Sequence, residues 1–142
     1  SGRVHVQGQA SECAGASAHG GLLVIDGDAS SRCGISLKGS DIVVGGSVGH
    51  FSAFMAQAGR LVICGDAGPN LGDSLYEAVI YVRGEIASLG ADACQQPLDD
   101  EDRRQLAQLL EQAALDHDPA SFTRIGSARQ LYHWNADARQ EY

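Results

Sequence analysis

Gly21-Leu22-Leu23-Val24-Ile25-Asp26-Gly27 sets the architecture of this chain, because its design occurs five times. Each copy is a glycine, five residues rich in aliphatic or β-branched side chains, and a second glycine. Gly2-Arg-Val-His-Val-Gln-Gly8 precedes it, and Gly39-Ser-Asp-Ile-Val-Val-Gly45 and Gly59-Arg-Leu-Val-Ile-Cys-Gly65 follow. The last copy, Ala78-Val-Ile-Tyr-Val-Arg-Gly84, has alanine in the first place. The closing glycines stand 19, 18, 20 and 19 residues apart. Repetition at a near-fixed period marks stacked units, none of which buries its apolar face alone.

Within the units Val4, Val6, Leu23, Ile25, Leu61 and Ile63 alternate with Arg3, Asp26 and Arg60, the period of two that belongs to a strand. Seven residues after each of the first four closing glycines comes another small residue: Gly15, Gly34, Ser52 and Gly72. Short strands with glycine-marked corners predict an all-β fold, a single-stranded right-handed parallel β-helix of about 19-residue coils over residues 1–96. Gly8, Gly15, Gly27, Gly34, Gly45, Gly65, Gly72 and Gly84 are its expected corners. Val4, Val6, Leu23, Ile25, Ile42, Val44, Leu61, Ile63, Ile80 and Val82 are its expected inward ladders. A leucine-rich repeat lacks its Leu/Asn signature here, and a hexapeptide helix fits an 18-to-20-residue spacing poorly.

Composition changes sharply after Gly90, by which point 17 of the 18 glycines have passed. Pro97-Leu98 leads into Asp99-Asp-Glu-Asp102, acids suited to a helix N-terminus. Leu106, Leu109, Leu110 and Ala113 follow at helical spacing, so residues 97–118 are expected to hold an amphipathic helix that caps or flanks the open end of the solenoid. Residues 119–142 are expected to form an extended tail that either packs on its own solenoid or docks on a partner. Its stretch from Phe122 holds half of the eight aromatics, with Arg124, Tyr132, His133 and Trp134 as expected partner contacts.

The formal net charge is −8 with one lysine, Lys38, which excludes the clustered basic surface that nucleic acid requires. No apolar run approaches the ~20 residues of a membrane span. The chain opens inside a repeat without Met or an apolar leader, so a cytoplasmic location is expected, and further rungs are expected before Ser1. Cys13, Cys33, Cys64 and Cys94 form no CxxC pair and read as small thiols of a reduced compartment.

Catalytic and metal sites are not expected. His5, His19 and His50 lie at different offsets from their closing glycines, which places them at different points around a coil. Gly45-Gly46-Ser-Val-Gly49 and Gly65-Asp-Ala-Gly68 lack the spacing of phosphate loops. Asp26, Asp28, Asp66 and Asp73 recur beside corners and are expected to cap turns by hydrogen bonding.

These glycine units, best developed in Gly20-Gly-Leu-Leu-Val-Ile-Asp-Gly-Asp-Ala-Ser-Ser-Arg-Cys-Gly-Ile-Ser-Leu-Lys-Gly39, resemble the GXGXG domain. That domain is the C-terminal β-helix of the glutamate synthase large subunit and also occurs within formylmethanofuran dehydrogenase. Leu71-Gly-Asp-Ser-Leu-Tyr-Glu-Ala78 with Ala87-Ser-Leu-Gly90 resembles the stand-alone subunits of split glutamate synthase-like enzymes. Phe122-Thr-Arg-Ile-Gly-Ser-Ala-Arg-Gln-Leu-Tyr132 resembles the tail of the N-methylglutamate synthase version. The resemblance implies a hetero-oligomer with a glutamine amidotransferase-like subunit and an FMN-binding glutamate synthase-like subunit, the latter with an iron–sulfur cluster as a further expectation. It implies transfer of methylamine onto glutamate with release of ammonia. This chain would then hold no cofactor and space its partners. A formylmethanofuran dehydrogenase component and a free-standing structural β-helix are the alternatives.

Overall fold

A computed structural model describes residues 3–8, 21–31, 33–34 and 38–128. Among these residues seven strands form one sheet: β1 (Arg3–Val6), β2 (Leu22–Ile25), β3 (Lys38–Val44), β4 (Ala58–Ile63), β5 (Val79–Val82), β6 (Ala93–Gln96) and β7 (Thr123–Ser127). A helix, α1 (Asp100–Gln112), and a single 3-10 turn (Pro119–Ser121) lie between β6 and β7. The sheet order is β1-β2-β3-β4-β5-β7-β6. The first five strands are parallel and stack like on like, as the repeats predict. No helix among the described residues is long and apolar enough to cross a membrane.

Along the inner columns of β1 to β5 the register is 19 residues. Leu23, Ile42, Leu61 and Ile80 align in one column, and Val6, Ile25, Val44, Ile63 and Val82 in the next. Of these, the residues from Ile42 to Val82 and Ile25 are fully buried in the lumen, with Leu23 and Val6 packed against them. Val48, Ala67 and Ile86 stack in the facing wall. Complete burial of an aliphatic side chain contributes roughly 1.5–3 kcal/mol, so these columns dominate the stability of the solenoid.

Two of the expected small positions shift by one residue. Gly46, not Gly45, stands in register with Gly27 and Gly65, and the inner small position of that coil is Ala53, not Ser52. Gly46 N–H donates to Gly27 O (2.9 Å), and Gly65 N–H donates to Gly46 O (2.8 Å). Ala53 N–H donates to Cys33 O (2.7 Å). The uneven 18 and 20 spacings vanish once this frame is used. The extra residue sits in a β-bulge between Lys38 and Asp41, where Gly39 and Ser40 face Gly59 alone. The bulge buries Ser40 at 3% exposure, and its hydroxyl has no hydrogen-bond partner among the described residues. Ser40→Ala removes that unsatisfied group and is expected to stabilise the chain by about 1 kcal/mol. A urea titration checks this; a lowered midpoint would show that the hydroxyl is satisfied in solution.

The helix lies elsewhere than expected. It covers the outer face of the sheet: Leu106, Leu109, Leu110 and Ala113 pack with Phe122 on Val24, Val43, Val62 and Tyr81. The strands are therefore apolar on both faces, as in sheets covered on both sides. The open edge of β5 is instead taken by β7, which runs antiparallel to it with Ile80 opposite Ile125 and Val82 opposite Thr123. β6 then pairs antiparallel with β7, so Ala93–Gln96 leave the coil path, although the glycine-repeat region is expected to reach residue 96.

Candidate functional site

Two polar arrangements cross between segments. The first runs down the corners. Asp28, Ser47, Asp66 and Glu85 share one position on successive coils, and each of the first three accepts from the backbone of the next. Ser47 N–H donates to Asp28 Oδ1 (2.7 Å), Asp66 N–H to Ser47 Oγ (2.8 Å) and Glu85 N–H to Asp66 Oδ1 (2.8 Å). Asp73 accepts from Ala91 N–H in the same manner (2.7 Å). These side chains satisfy corner amides that no strand partner reaches. Asp26 differs, because it meets the His5 ring at 2.6 Å.

The glycines make this ladder possible. Gly27 N–H donates to Gly8 O (2.7 Å) and Gly84 N–H to Gly65 O (2.8 Å), completing a column Gly8–Gly27–Gly46–Gly65–Gly84. A Cβ at Gly65 would lie 2.7 Å from the Gly46 carbonyl carbon, far inside ordinary contact. One at Gly45 would meet the Asp26 carbonyl, and one at Gly84 the Asp66 carboxylate. The close approach these residues permit is therefore between coils of the same chain. Gly34 and Gly72 serve a different need, taking φ of 70° and 73° on the inner side. Gly15 lies outside the described residues.

The second arrangement locks the C-terminal segments to the sheet. Tyr81 on β5 donates its hydroxyl to Asp102 Oδ1 (2.6 Å), and Arg124 on β7 donates through Nη1 to the same oxygen (2.7 Å). Asp102 Oδ2 accepts from Asp99 N–H (2.9 Å) while Asp99 Oδ1 accepts from Asp102 N–H (2.8 Å), a capping box at the start of α1. Arg124 Nε reaches Gln96 Oε1 on β6 (3.0 Å). Burial alone would raise the Asp102 pKa, but hydrogen bonds from Tyr81, Asp99 and Arg124, with the Arg124 charge, hold it below the ordinary carboxylate value. Burial and the neighbouring Asp102 push the Tyr81 phenol up. A carboxylate engaged on both oxygens and charge-paired acts as a fastener between β5, the start of α1 and β7. Sequence patterning places Arg124 at a partner surface; its contacts in the fold are intramolecular. Tyr132, His133 and Trp134 lie outside the described residues.

Burial pushes the Cys33 thiol up to about 12 and the Cys64 thiol up to about 11, the latter against the pull of Arg83. Such thiols are unreactive at neutral pH. Ser31 Oγ and His50 Nδ1 stand 3.0 Å apart, nineteen positions apart in the chain, as neighbours on adjoining coils. No cluster of three or more His, Cys, Asp or Glu with metal-binding geometry occurs among the described residues. Only the pairing register could reveal the Tyr81–Asp102–Arg124 lock, because its members come from three separate segments. The signal that was available was the tyrosine on the outer column of β5 and the aspartate at the third helical position.

No family model matches the chain, and no solved structure matches it. Among curated proteins it is similar to Protein GlxC of Rhizobium meliloti (strain 1021), with 56% identity over 96 residues. That match takes in 67% of this chain but 42% of the relative, so the chain spans well under two thirds of GlxC's length.

Proposed function

We propose that the chain is a scaffold subunit of a glutamate synthase-like complex, more narrowly of an N-methylglutamate synthase. In this reading it spaces a glutamine amidotransferase-like subunit and an FMN-binding glutamate synthase-like subunit, which hold the flavin and an iron–sulfur cluster and perform the chemistry. The observation that carries it is the 19-residue glycine column, whose corner carboxylates Asp28 and Asp66 are engaged in coil-to-coil bonding. A body whose polar groups hold its own coils together is suited to keeping two other sites at a fixed separation. The resemblance of its units to the GXGXG domain supplies the enzyme class, and the composition of the tail makes Tyr132, His133 and Trp134 candidate contacts for a partner.

Purification of the tagged chain from its native host tests this. The expected result is co-elution with a flavoprotein and an amidotransferase-like protein, with methylamine-dependent conversion of glutamate to N-methylglutamate. The chain purified alone is expected to be colourless and inactive. Co-elution with a metal–pterin protein would move the chain to the formylmethanofuran dehydrogenase type. Elution without partners would leave a free-standing structural solenoid.

A further inference from the structure

Among the described residues the large apolar side chains left exposed are Met55 at 39% and Tyr76 at 42%. They stand on adjoining coils, joined where Met55 N–H donates to Asp73 O (2.9 Å) and Tyr76 N–H to Ala56 O (2.9 Å). Next to Met55 in the chain, the half-buried Phe54 ring meets Phe51 edge to face, 6.0 Å away. Charged side chains of opposite sign flank this patch on the two sides of the Met55 coil. Lys38, the single lysine of the chain, is exposed at the start of β3 and pairs with Ala58 from the coil on the β1 side. Glu77 is exposed on the coil on the β5 side, where its N–H donates to Gln57 O (2.8 Å). Neither makes an ion pair among the described residues. Further along β3 and β4, Asp41 and Arg60 neutralise each other through two hydrogen bonds of 3.0 Å.

The patch is therefore apolar at its centre, basic on one side and acidic on the other, and that polarity is self-complementary. A two-fold axis lying across the solenoid at the Met55 coil reverses the order of the coils. Lys38 of each copy then comes to Glu77 of the other, while Met55 and Tyr76 meet in the middle. A partner of a single charge sign would instead leave one side of the border opposed. We propose that this face joins two copies of the chain in an antiparallel dimer, with Met55 and Tyr76 at its centre and Lys38–Glu77 pairs at its border. The charge of −8 on each copy opposes association, but physiological salt screens that repulsion beyond about 8 Å, and the bordering pairs lie inside this distance. The contact needs this chain alone, so it stands apart from the enzyme class proposed above.

Light scattering and sedimentation velocity of the full chain, across a ~100-fold concentration range, test this, and a dimer is expected to grow in as concentration rises. Met55→Ala combined with Tyr76→Ala is expected to weaken it at least ~10-fold, because Met and Tyr side chains at the centre of a contact carry much of its affinity. Lys38→Glu and Glu77→Lys are each expected to weaken the dimer by setting like charges together, and the two combined are expected to restore it. Melting temperatures of the variants should match the parent chain where the parent is monomeric, which separates lost docking from lost folding. A parent chain that stays monomeric throughout overturns the proposal, and the patch then serves a different protein or none. A parent dimer that the Met55 and Tyr76 changes leave intact, or that the combined charge exchange fails to restore, overturns it as well.

Discussion

Leu61→Asp is expected to leave the chain unfolded at room temperature. Leu61 is fully buried at the middle of the inner column, between Ile42 and Ile80 on the neighbouring coils. A carboxylate there is packed among the aliphatic side chains of the inner cluster. An unpaired buried charge costs more than the roughly 5–15 kcal/mol by which domains of this size are stable, or forces protonation at a comparable cost. Leu61→Ala, which removes methyl groups and leaves a cavity, is expected to cost about 3 kcal/mol and to fold. Far-ultraviolet circular dichroism and thermal melts distinguish the two. A cooperative melt of Leu61→Asp near that of the parent chain would mean that this column does not face the lumen.

Asp102→Ala should be the second most damaging change, at about 3–5 kcal/mol, because it removes one partner of a buried ion pair. Arg124 would keep a side chain only 25% exposed without its counter-charge, and the buried Tyr81 hydroxyl would lose its acceptor. The capping box at the start of α1 would go as well. The same carboxylate gives the parent chain a pH dependence of definite sign. Its folded pKa lies below the unfolded value, so its contribution is complete above ~4 and is lost as pH falls through the lowered folded value. The stability difference between parent and Asp102→Ala, measured by urea unfolding, should therefore be constant from pH 7 to 5 and shrink below pH ~4. A difference that grew on acidification would contradict the lowered pKa.

The sequence showed the stacked strands plainly because each strand repeats its own inner residues. Leu23, Leu61 and Ile80 align without any knowledge of the fold, and Ile42 joins them. The doublet Gly45-Gly46 blurred the frame. Either glycine closes the unit acceptably, and it is the bonding of Gly46 to Gly27 and Gly65 on the neighbouring coils that shows which one belongs to the column. The helix was legible as a helix, from its leucine spacing and its run of acids. Its destination was legible in principle too, since Val24, Val43, Val62 and Tyr81 make the supposed outer face as apolar as the inner one. That signal lies across four repeats at once, where a reading along the chain does not gather it. Strand β7 had no comparable signal. Thr123-Arg-Ile-Gly-Ser127 matches no other coil, because its partner edge runs the opposite way and its pairing with β5 bridges more than 40 positions. The Asp102 lock followed it out of sight, since Arg124 reaches the carboxylate only once β7 is placed.

The antiparallel docking of β7 on β5 has a consequence for how such a body changes size. Parallel coils are interchangeable modules, and each adds ~4.8 Å of length, so the stack behaves as a ruler graduated in whole coils. At the β5 end the graduations stop. A strand of opposite direction cannot serve as the template for a further coil, and Arg124 fastens it to both the helix and β6. A lineage that needs a longer or shorter ruler can insert or delete 19-residue modules among β1 to β4. It must carry the terminal piece from β5 through β7 along unchanged.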